Sequence, residues 1–472
     1  MFHFNQLLYI MKIVKYISIG LCSLVLSACS SMLDEEVYSE LNDDYANSED
    51  GLQSLLTSAY GNAQLRNYAY FFTSGMTSGE NWNEFGAIEA NFTPLSNFTW
   101  DSNHTYFSST WKQLYTVIRD ANLILKNASG QNQEQLIAEA KFLRGISYYL
   151  LHDWFGPLPL YSSPDDDYYL ARSTEEQTIA FIEKDLSEAA AVLPLEQTVY
   201  GKATKGAALS FLVKLYLNTK QWQKAIDRTN AVIGLQTYSL FADYTKLFLI
   251  ENEGNNEMIW TIQSTPQLGN PFVANTFPTD YPHLPNQTIY ASRVYLYDEF
   301  VNSFDANDKR RKLIITAYTN TSGVFTQLLG NNRSYPGKYE FDKDAIGASY
   351  GNDVPVIRYA DILISKAEAL NELNGPTMES VSLVNQIRNR AGLKPLQVGD
   401  LTKDSFRRQI FKERKWEFWY EQAGRSDQLR EGTFISSARQ RGKTAANAHQ
   451  VLFPIPQTEI DANPNLAQNE GY

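Results

Sequence analysis

Cysteine is nearly absent from this 472-residue chain, at two residues, and histidine is scarce at five. Two thiols build neither a disulfide framework nor a four-thiolate zinc site, and five histidines leave little for a nitrogen-rich metal centre. Basic residues are in deficit: 41 Lys and Arg against 53 Asp and Glu give a formal charge of -12 and a pI near 5.1. A binder of phosphate backbones carries a clustered basic surface, so nucleic acid drops out as a partner. Long hydrophobic runs are missing as well. The apolar stretch 17–26 is too short to cross about 30 Å of hydrocarbon as a helix. His-Glu-x-x-His, Gly-x-Ser-x-Gly and a phosphate-cradling glycine loop do not occur, and Asp165-Asp166-Asp167 lacks the alternating spacing of a calcium loop. No catalytic residue, metal or cofactor is therefore assigned.

What the chain has in quantity is rings: 8 Trp, 29 Tyr and 25 Phe. With 43% hydrophobic residues it can bury a large core, and at roughly 100–200 residues per domain its length admits two to four domains or one large repeat array.

Lys12 and Lys15 precede the apolar run, and Leu26-Ser27-Ala28-Cys29 closes it. A charged segment, an apolar segment and then small residues is the order of a secretory signal. The last four residues resemble a bacterial lipobox, whose Cys is acylated and becomes the new N-terminus. Residues 1–28 are expected to be removed, from a start at Met1 or Met11, and Cys29 to carry lipid. Acyl chains at about 0.8 kcal/mol per buried methylene make such an anchor lasting. Loss of 1–28 deletes two lysines and no acid, taking the charge from -12 to -14. Residues 29–47 form the lipid anchor and an acidic tether, with Asp34, Glu35 and Glu36 behind the lipid. That cluster resembles surface-export signals of bacterial lipoproteins and equally suits a solvated tether.

The body reads as mainly α. Residues 48–66 place Leu52, Leu55, Leu56, Ala59 and Tyr60 on one helical face, and 108–127 repeats the pattern from Trp111 to Leu125. A stripe over 133–152 ends at Phe155-Gly156-Pro157-Leu158-Pro159, and a partner helix follows over 174–193. Residues 203–234 form two helices about a turn at 218–220, with Tyr216, Trp222 and Ala225 at the spacing of a tetratricopeptide unit. A last pair covers 356–374 and 378–391. The spacing predicts four loosely tetratricopeptide-like pairs in a superhelix. Two stretches, 67–107 and 236–354, read as loops, the second with short strands such as 258–262, and together they give the helical frame a loop-rich ligand-binding face. The division predicted is 48–235 and 236–472.

The terminal run Leu452-Phe453-Pro454-Ile455-Pro456, Asn463-Pro464-Asn465-Leu466 and Gln468-Asn469-Glu470-Gly471-Tyr472 resembles the C-terminal signature of SusD/RagB lipoproteins. Other landmarks follow in order: Arg144 and Tyr148 to Asp153-Trp154-Phe155-Gly156; Asp308-Lys309-Arg310; Ile357-Arg358-Tyr359-Ala360-Asp361; Arg388-Asn389-Arg390; and Glu413-Arg414, Glu417, Glu421 and Arg425-Ser426-Asp427. The resemblance implies an outer-membrane lipoprotein, facing the cell exterior, that binds oligosaccharide and delivers it to a SusC-like TonB-dependent channel. It also leaves open a peptide-binding lid of the same family. A surface glycoside hydrolase, which needs only a pair of carboxylates, is the remaining alternative, and the expectation is a protein that is not an enzyme.

The charged landmarks are expected to be structural ion pairs, and Trp111, Trp154, Trp222, Trp260, Trp416 and Trp419 to be core. Sugars lay C–H faces on aromatic rings while amides and carboxylates take the hydroxyls. Glu80, Asn81 and Trp82, and Trp100 with Asn103, have that chemistry in the first loop stretch. The resemblance implies that a carboxylate and an aromatic residue there help form a sugar platform. From the second stretch, Tyr281, Tyr290, Arg333 and Tyr335 are the further ligand-binding candidates.

Overall fold

A computed structural model describes residues 48–65, 68–84, 86, 88–128, 133–290 and 292–472. The signal 1–28, Cys29 and the acidic tether lie outside the described residues. Helix α1 spans Glu49–Ala63, α2 Tyr68–Ser78, strand β1 Asn81–Asn83, α3 Glu89–Asn97, α4 Thr105–Asn127, α5 Glu134–Phe155, α6 Glu175–Val192, α7 Lys205–Asn218 and α8 Trp222–Gly234. The middle region holds β2 (Met258–Ile262), α9 (Phe272–Thr276), β3 (Val294–Leu296), α10 (Asp298–Ser303), β4 (Ile314–Ile315), β5 (Ala317–Thr319), β6 (Phe325–Gln327), β7 (Tyr335–Pro336) and β8 (Val354–Arg358). The chain closes with α11 (Tyr359–Asn374), α12 (Met378–Ala391), α13 (Lys403–Glu417), α14 (Gly424–Glu431), α15 (Phe434–Gln440) and α16 (Gln457–Ala462).

The long helices begin where side chains satisfy their first N–H groups. Thr174 and Gln177 make a reciprocal capping box on α6, and Thr377 with Ser380 and Thr402 with Ser405 do the same on α12 and α13. Gly156 and Gly375 end α5 and α11 at positive φ, which a residue lacking Cβ adopts without strain. Each helix packs on the next in an uninterrupted series: α4 on α5, α5 on α6, α6 on α7, α7 on α8, α8 on α11, and α11 on α12 and α13. This is the tetratricopeptide-like superhelix. Ala225 of α8 is fully buried; a larger side chain there would overpack its surroundings by about 1–3 kcal/mol. The contact of α8 with α11 across more than a hundred intervening residues shows that 235–353 is an excursion from the superhelix.

Strand pairing within Leu52–Tyr472 is sparse. Among the described residues it forms four two-stranded antiparallel ladders, β1–β3, β2–β8, β4–β7 and β5–β6. No helix of the described residues is long and apolar enough to cross a membrane.

The stretch 67–107 departs from its reading as loop, since α2 and α3 lie in it. Helix α2 buries Phe71, Phe72, Thr73, Met76 and Thr77 in a nearly continuous run. A helix covered on most sides carries no polar stripe, so the 3.6-residue period does not appear in its sequence.

The excursion is tied to the superhelix by buried charge. Arg358, at the start of α11, pairs with Glu257, Glu417 and Glu421; Arg390, at the end of α12, pairs with Glu257 and Glu417; Arg310 meets Asp308 and Glu413 at 2.7 Å. Lys338 reaches Glu421 at 2.6 Å. Arg388 pairs with Glu413, Arg414 with Asp361 and Asp427, and Arg425 with Asp153. These are the ion pairs expected, but their partners come mostly from different elements instead of adjacent helical turns. Burial pushes the Glu417 carboxyl up, and Arg390, Arg358 and Arg310 outweigh it, leaving the group at about 2. Breaking such a cluster from one side leaves buried charge uncompensated, at about 3–5 kcal/mol.

The C-terminal signature is a clasp. The Phe453 N–H donates to the Trp154 carbonyl at 2.7 Å, and Asn469 Nδ2 donates to the carbonyls of Phe155 and Phe453. The terminal motif thus closes on the Trp154-Phe155-Gly156 bend, and the two landmarks form one structure.

Candidate functional site

Chain direction after α2 decides which of the first-loop candidates reach the surface. Gly79, at φ +74, turns the chain from α2 into β1, against the Arg441 guanidinium, where a Cβ would lie about 2 Å from its atoms. Glu80 and Asn81 consequently point inward. The Glu80 carboxylate is buried and accepts the Tyr420 N–H, and burial pushes its pKa up to about 7. Asn81, 2% exposed, fills the space left by Gly75, whose Cβ would fall 2.0 Å from its Oδ1. Both residues are supports behind the surface, which corrects their expected role as ligand contacts.

Trp82 is the residue that emerges. It stands opposite Tyr295 in the β1–β3 ladder, and the two rings lie 4.9 Å apart at 34°, the cross-strand aromatic contact that stabilises short ribbons. Its Nε1 donates to the Asn332 carbonyl at 2.7 Å. The turn that presents this carbonyl is held by Asp298, which accepts the N–H groups of Gly330 and Asn332 at 2.9 and 3.0 Å. Trp82 remains partly exposed.

A continuous series of rings runs from this point. Tyr297 lies 6.2 Å from Trp82, Tyr295 stacks on Tyr335 at 5.2 Å, Tyr335 meets Phe277 at 5.5 Å, Phe277 meets Tyr281 at 4.5 Å, and Tyr281 meets Tyr318 at 5.1 Å. Tyr295 and Tyr335 form its buried spine, and Trp82, Tyr281, Tyr297 and Tyr318 its partly exposed edge. Burial holds the Tyr335 hydroxyl far above its usual pKa, so Tyr335 is a packing residue and its expected ligand contact is corrected. Arg333 is exposed, pairs with Glu84 at 2.6 Å and places its guanidinium 6.0 Å from the Tyr295 ring. At the far end Asp280 accepts the Tyr318 hydroxyl at 3.0 Å and Asn320 Nδ2 at 3.1 Å. Tyr290, 42% exposed, is fixed through its N–H to the Ala274 carbonyl.

The structure therefore gathers Trp82, Tyr281, Arg333 and Tyr335 into one face. Trp100 and Asn103 lie in another cluster. Trp100 is 5% exposed, packs on Phe98 at 4.8 Å and Phe453 at 5.4 Å, and donates Nε1 to the Tyr472 hydroxyl at 2.9 Å. It belongs to the C-terminal clasp, and its expected place in a sugar platform is corrected. The polar residues around it form the entry to α4: Asp101 Oδ1 accepts the Asn103 N–H in the turn before it, and His104, the N-cap, accepts that of Tyr106. Asn103 is exposed at that cap. Sequence reasoning missed Glu84, Tyr295, Tyr297 and Tyr318. The alternation Val294-Tyr295-Leu296-Tyr297 was the available signal.

A partly exposed indole, tyrosine edges and an Arg–carboxylate pair can stack a ring-shaped polar ligand and hydrogen-bond its hydroxyls. Trp111, Trp154, Trp260, Trp416 and Trp419 are core as expected, and Trp222 is partly buried.

Comparison with known proteins agrees across the chain. A family model described as "Starch-binding associating with outer membrane" matches residues 31–217, and the SusD family model matches 342–434 and 427–472. The SusD-like protein P25 of Formosa agariphila is 28% identical over 424 residues, covering 77% of this chain and 80% of that protein. Among solved structures, a SusD superfamily protein from Parabacteroides distasonis superposes with TM-score 0.79 at 25% identity, covering 90% of this chain and 99% of that one. A laminarin-binding SusD-like protein gives TM-score 0.76 at 21% identity over 90% of this chain and all of that one.

Proposed function

The chain belongs to the SusD/RagB family, and from that premise we propose that it is a non-catalytic, lipid-anchored protein of the outer membrane that binds oligosaccharide at the Trp82 face. The observation that carries this is the partly exposed Trp82 ring, braced by Tyr295 and the Asn332 carbonyl and continued by other rings. Such a platform stacks on sugar C–H faces in the orientation its bracing fixes, and a preformed platform loses little entropy on binding. The description of the matching family model names starch binding, and one structural neighbour is laminarin-binding by its own name; an uncharged glycan suits a face whose charges are paired.

The carboxylates here serve to hold the face. Glu84 is paired with Arg333, and Asp280 accepts two hydrogen bonds from side chains. That use supports binding without hydrolysis. Lipid at Cys29 would anchor the protein in the outer membrane, and the Asp34-Glu35-Glu36 cluster behind it would direct it to the cell exterior, where it delivers its glycan to a SusC-like TonB-dependent channel.

A glycan array followed by calorimetry on the protein tests the reading. Trp82→Ala is expected to weaken the selected glycan by about 1–3 kcal/mol, the scale of an aromatic hot spot, with the fold retained. Binding of peptides and no sugar would overturn the glycan assignment. Failure of a TonB-dependent channel to co-purify from outer membranes would overturn the delivery role.

A further inference from the structure

A sizeable cavity lies away from the Trp82 face. About 550 Å³, half open to solvent, lies between α4, the 159–168 loop and α16, within the range of sites that take small ligands. Its floor is one face of α4, where Trp111, Ile118 and Asn122 are buried. Tyr115, Tyr161 and Tyr168 complete it. The Tyr115 and Tyr161 rings meet edge to face at 5.9 Å. Their hydroxyls are already committed, Tyr115 to the Pro159 carbonyl at 3.0 Å and Tyr161 to the Tyr168 carbonyl at 2.8 Å. The rings therefore offer faces and edges while the hydroxyls stay engaged.

The cavity is built. Asp166 accepts the N–H groups of Ser162 and Ser163, Asp167 accepts that of Tyr169, and Asp165 pairs with Lys126 at 2.7 Å. The three aspartates, which in sequence look like an acidic run, are all spent on shaping this loop. From the other side Asn463 and Asn465 of the C-terminal clasp donate to the carbonyls of Leu170 and Tyr169. Polar groups come from long side chains lining the same space: Lys112, Glu459, and Arg119, whose Nε and Nη2 are held by Asp120 at 3.0 and 2.7 Å. An apolar occupant would gain nothing from those charges. A polyhydroxylated ring with apolar faces uses both the rings and the rim, and a rim of both signs favours a neutral one.

We propose that this cavity is a second saccharide-binding subsite, taking a short neutral oligosaccharide on the Tyr115, Tyr161 and Tyr168 rings with Lys112, Arg119 and Glu459 meeting its hydroxyls. It rests on the glycan reading of the Trp82 face for its ligand class, but shares no residue with that face. Tyr168 is the probing position, since at 70% exposure its removal leaves the core intact.

The test is calorimetric stoichiometry on the full chain, with neutral oligosaccharides selected from an array of α-glucans, β-glucans, mannans and galactans. Wild type is expected to take two saccharides per chain, Tyr168→Ala to weaken one of them at least tenfold, and Trp82→Ala to weaken only the other. Arg119→Ala should act with Tyr168→Ala. One saccharide per chain, lost in Trp82→Ala and unaffected by Tyr168→Ala, overturns the subsite and leaves the Trp82 reading standing. Binding lost in Tyr168→Ala alone would sustain the subsite and overturn the Trp82 reading. No saccharide binding at all overturns both.

Discussion

Trp82 and Trp100 carry the same ring in neighbouring stretches of chain, each among amides and carboxylates, and they end in opposite situations. Trp100 is enclosed by Phe98, Phe453 and Tyr472, and the polar residues beside it form the entry to α4. Trp82 sits at the rim of a two-stranded ribbon, and its polar neighbours divide between inward supports and an exposed ion pair. The difference teaches that flanking polarity does not expose a ring. A helix start collects Asp, Asn and His for its own N–H groups, and a sugar site collects similar residues for a ligand.

The largest effect expected from breaking this comparison is at Trp100. Trp100→Ala should cost about 3–5 kcal/mol of stability, as for other buried Trp truncations, read by urea denaturation, with glycan affinity of the folded fraction unchanged. A loss of affinity without loss of stability would place Trp100 back at the ligand.

Glu80 comes next, because it anchors the start of the Trp82 strand. Its folded pKa of about 7 lies above the ordinary 4.5, so the folded state holds the proton more tightly. The stability it contributes is complete below about pH 4.5 and is lost as pH rises through 7, about 3 kcal/mol in all. Glu80→Gln keeps the acceptor for the Tyr420 N–H and should remove that pH dependence, measured as the difference between wild-type and variant unfolding at pH 5 and pH 8. Parallel profiles for the two proteins would sink the assignment.

The smallest effect is at Arg333, whose pair with Glu84 is partly solvated. Arg333→Met should change stability by about 0.2–1 kcal/mol, as an exposed pair does, while lowering glycan affinity measurably. Affinity indistinguishable from wild type would remove Arg333 from the ligand contacts and leave the rings to carry binding.

Legibility in the sequence followed the range of the interactions. Helix α12 was readable to its ends at 378 and 391, because a Thr cap, a periodic stripe and Gly392 are all local signals. Strand β2 was readable as a β-branched and aromatic run. Helix α2 was not, since burial on most sides erases its period. At the candidate site, Trp82 was singled out from its own neighbours, but its pairing with Tyr295 joins residues more than two hundred apart, and no local pattern records that. Inward placement of Glu80 and Asn81 depends on Gly75, Gly79 and Arg441 packing around one turn, which likewise forms only in three dimensions.

The direct measurement is calorimetry of one array-selected glycan against Trp82→Ala and Trp100→Phe side by side, the second chosen to keep a ring in the core. The expected result is an affinity loss of about fivefold or more for Trp82→Ala, on the scale of about 1–3 kcal/mol, and none for Trp100→Phe. Unchanged affinity in Trp82→Ala, or a loss confined to Trp100→Phe, would contradict the assignment of the ligand face.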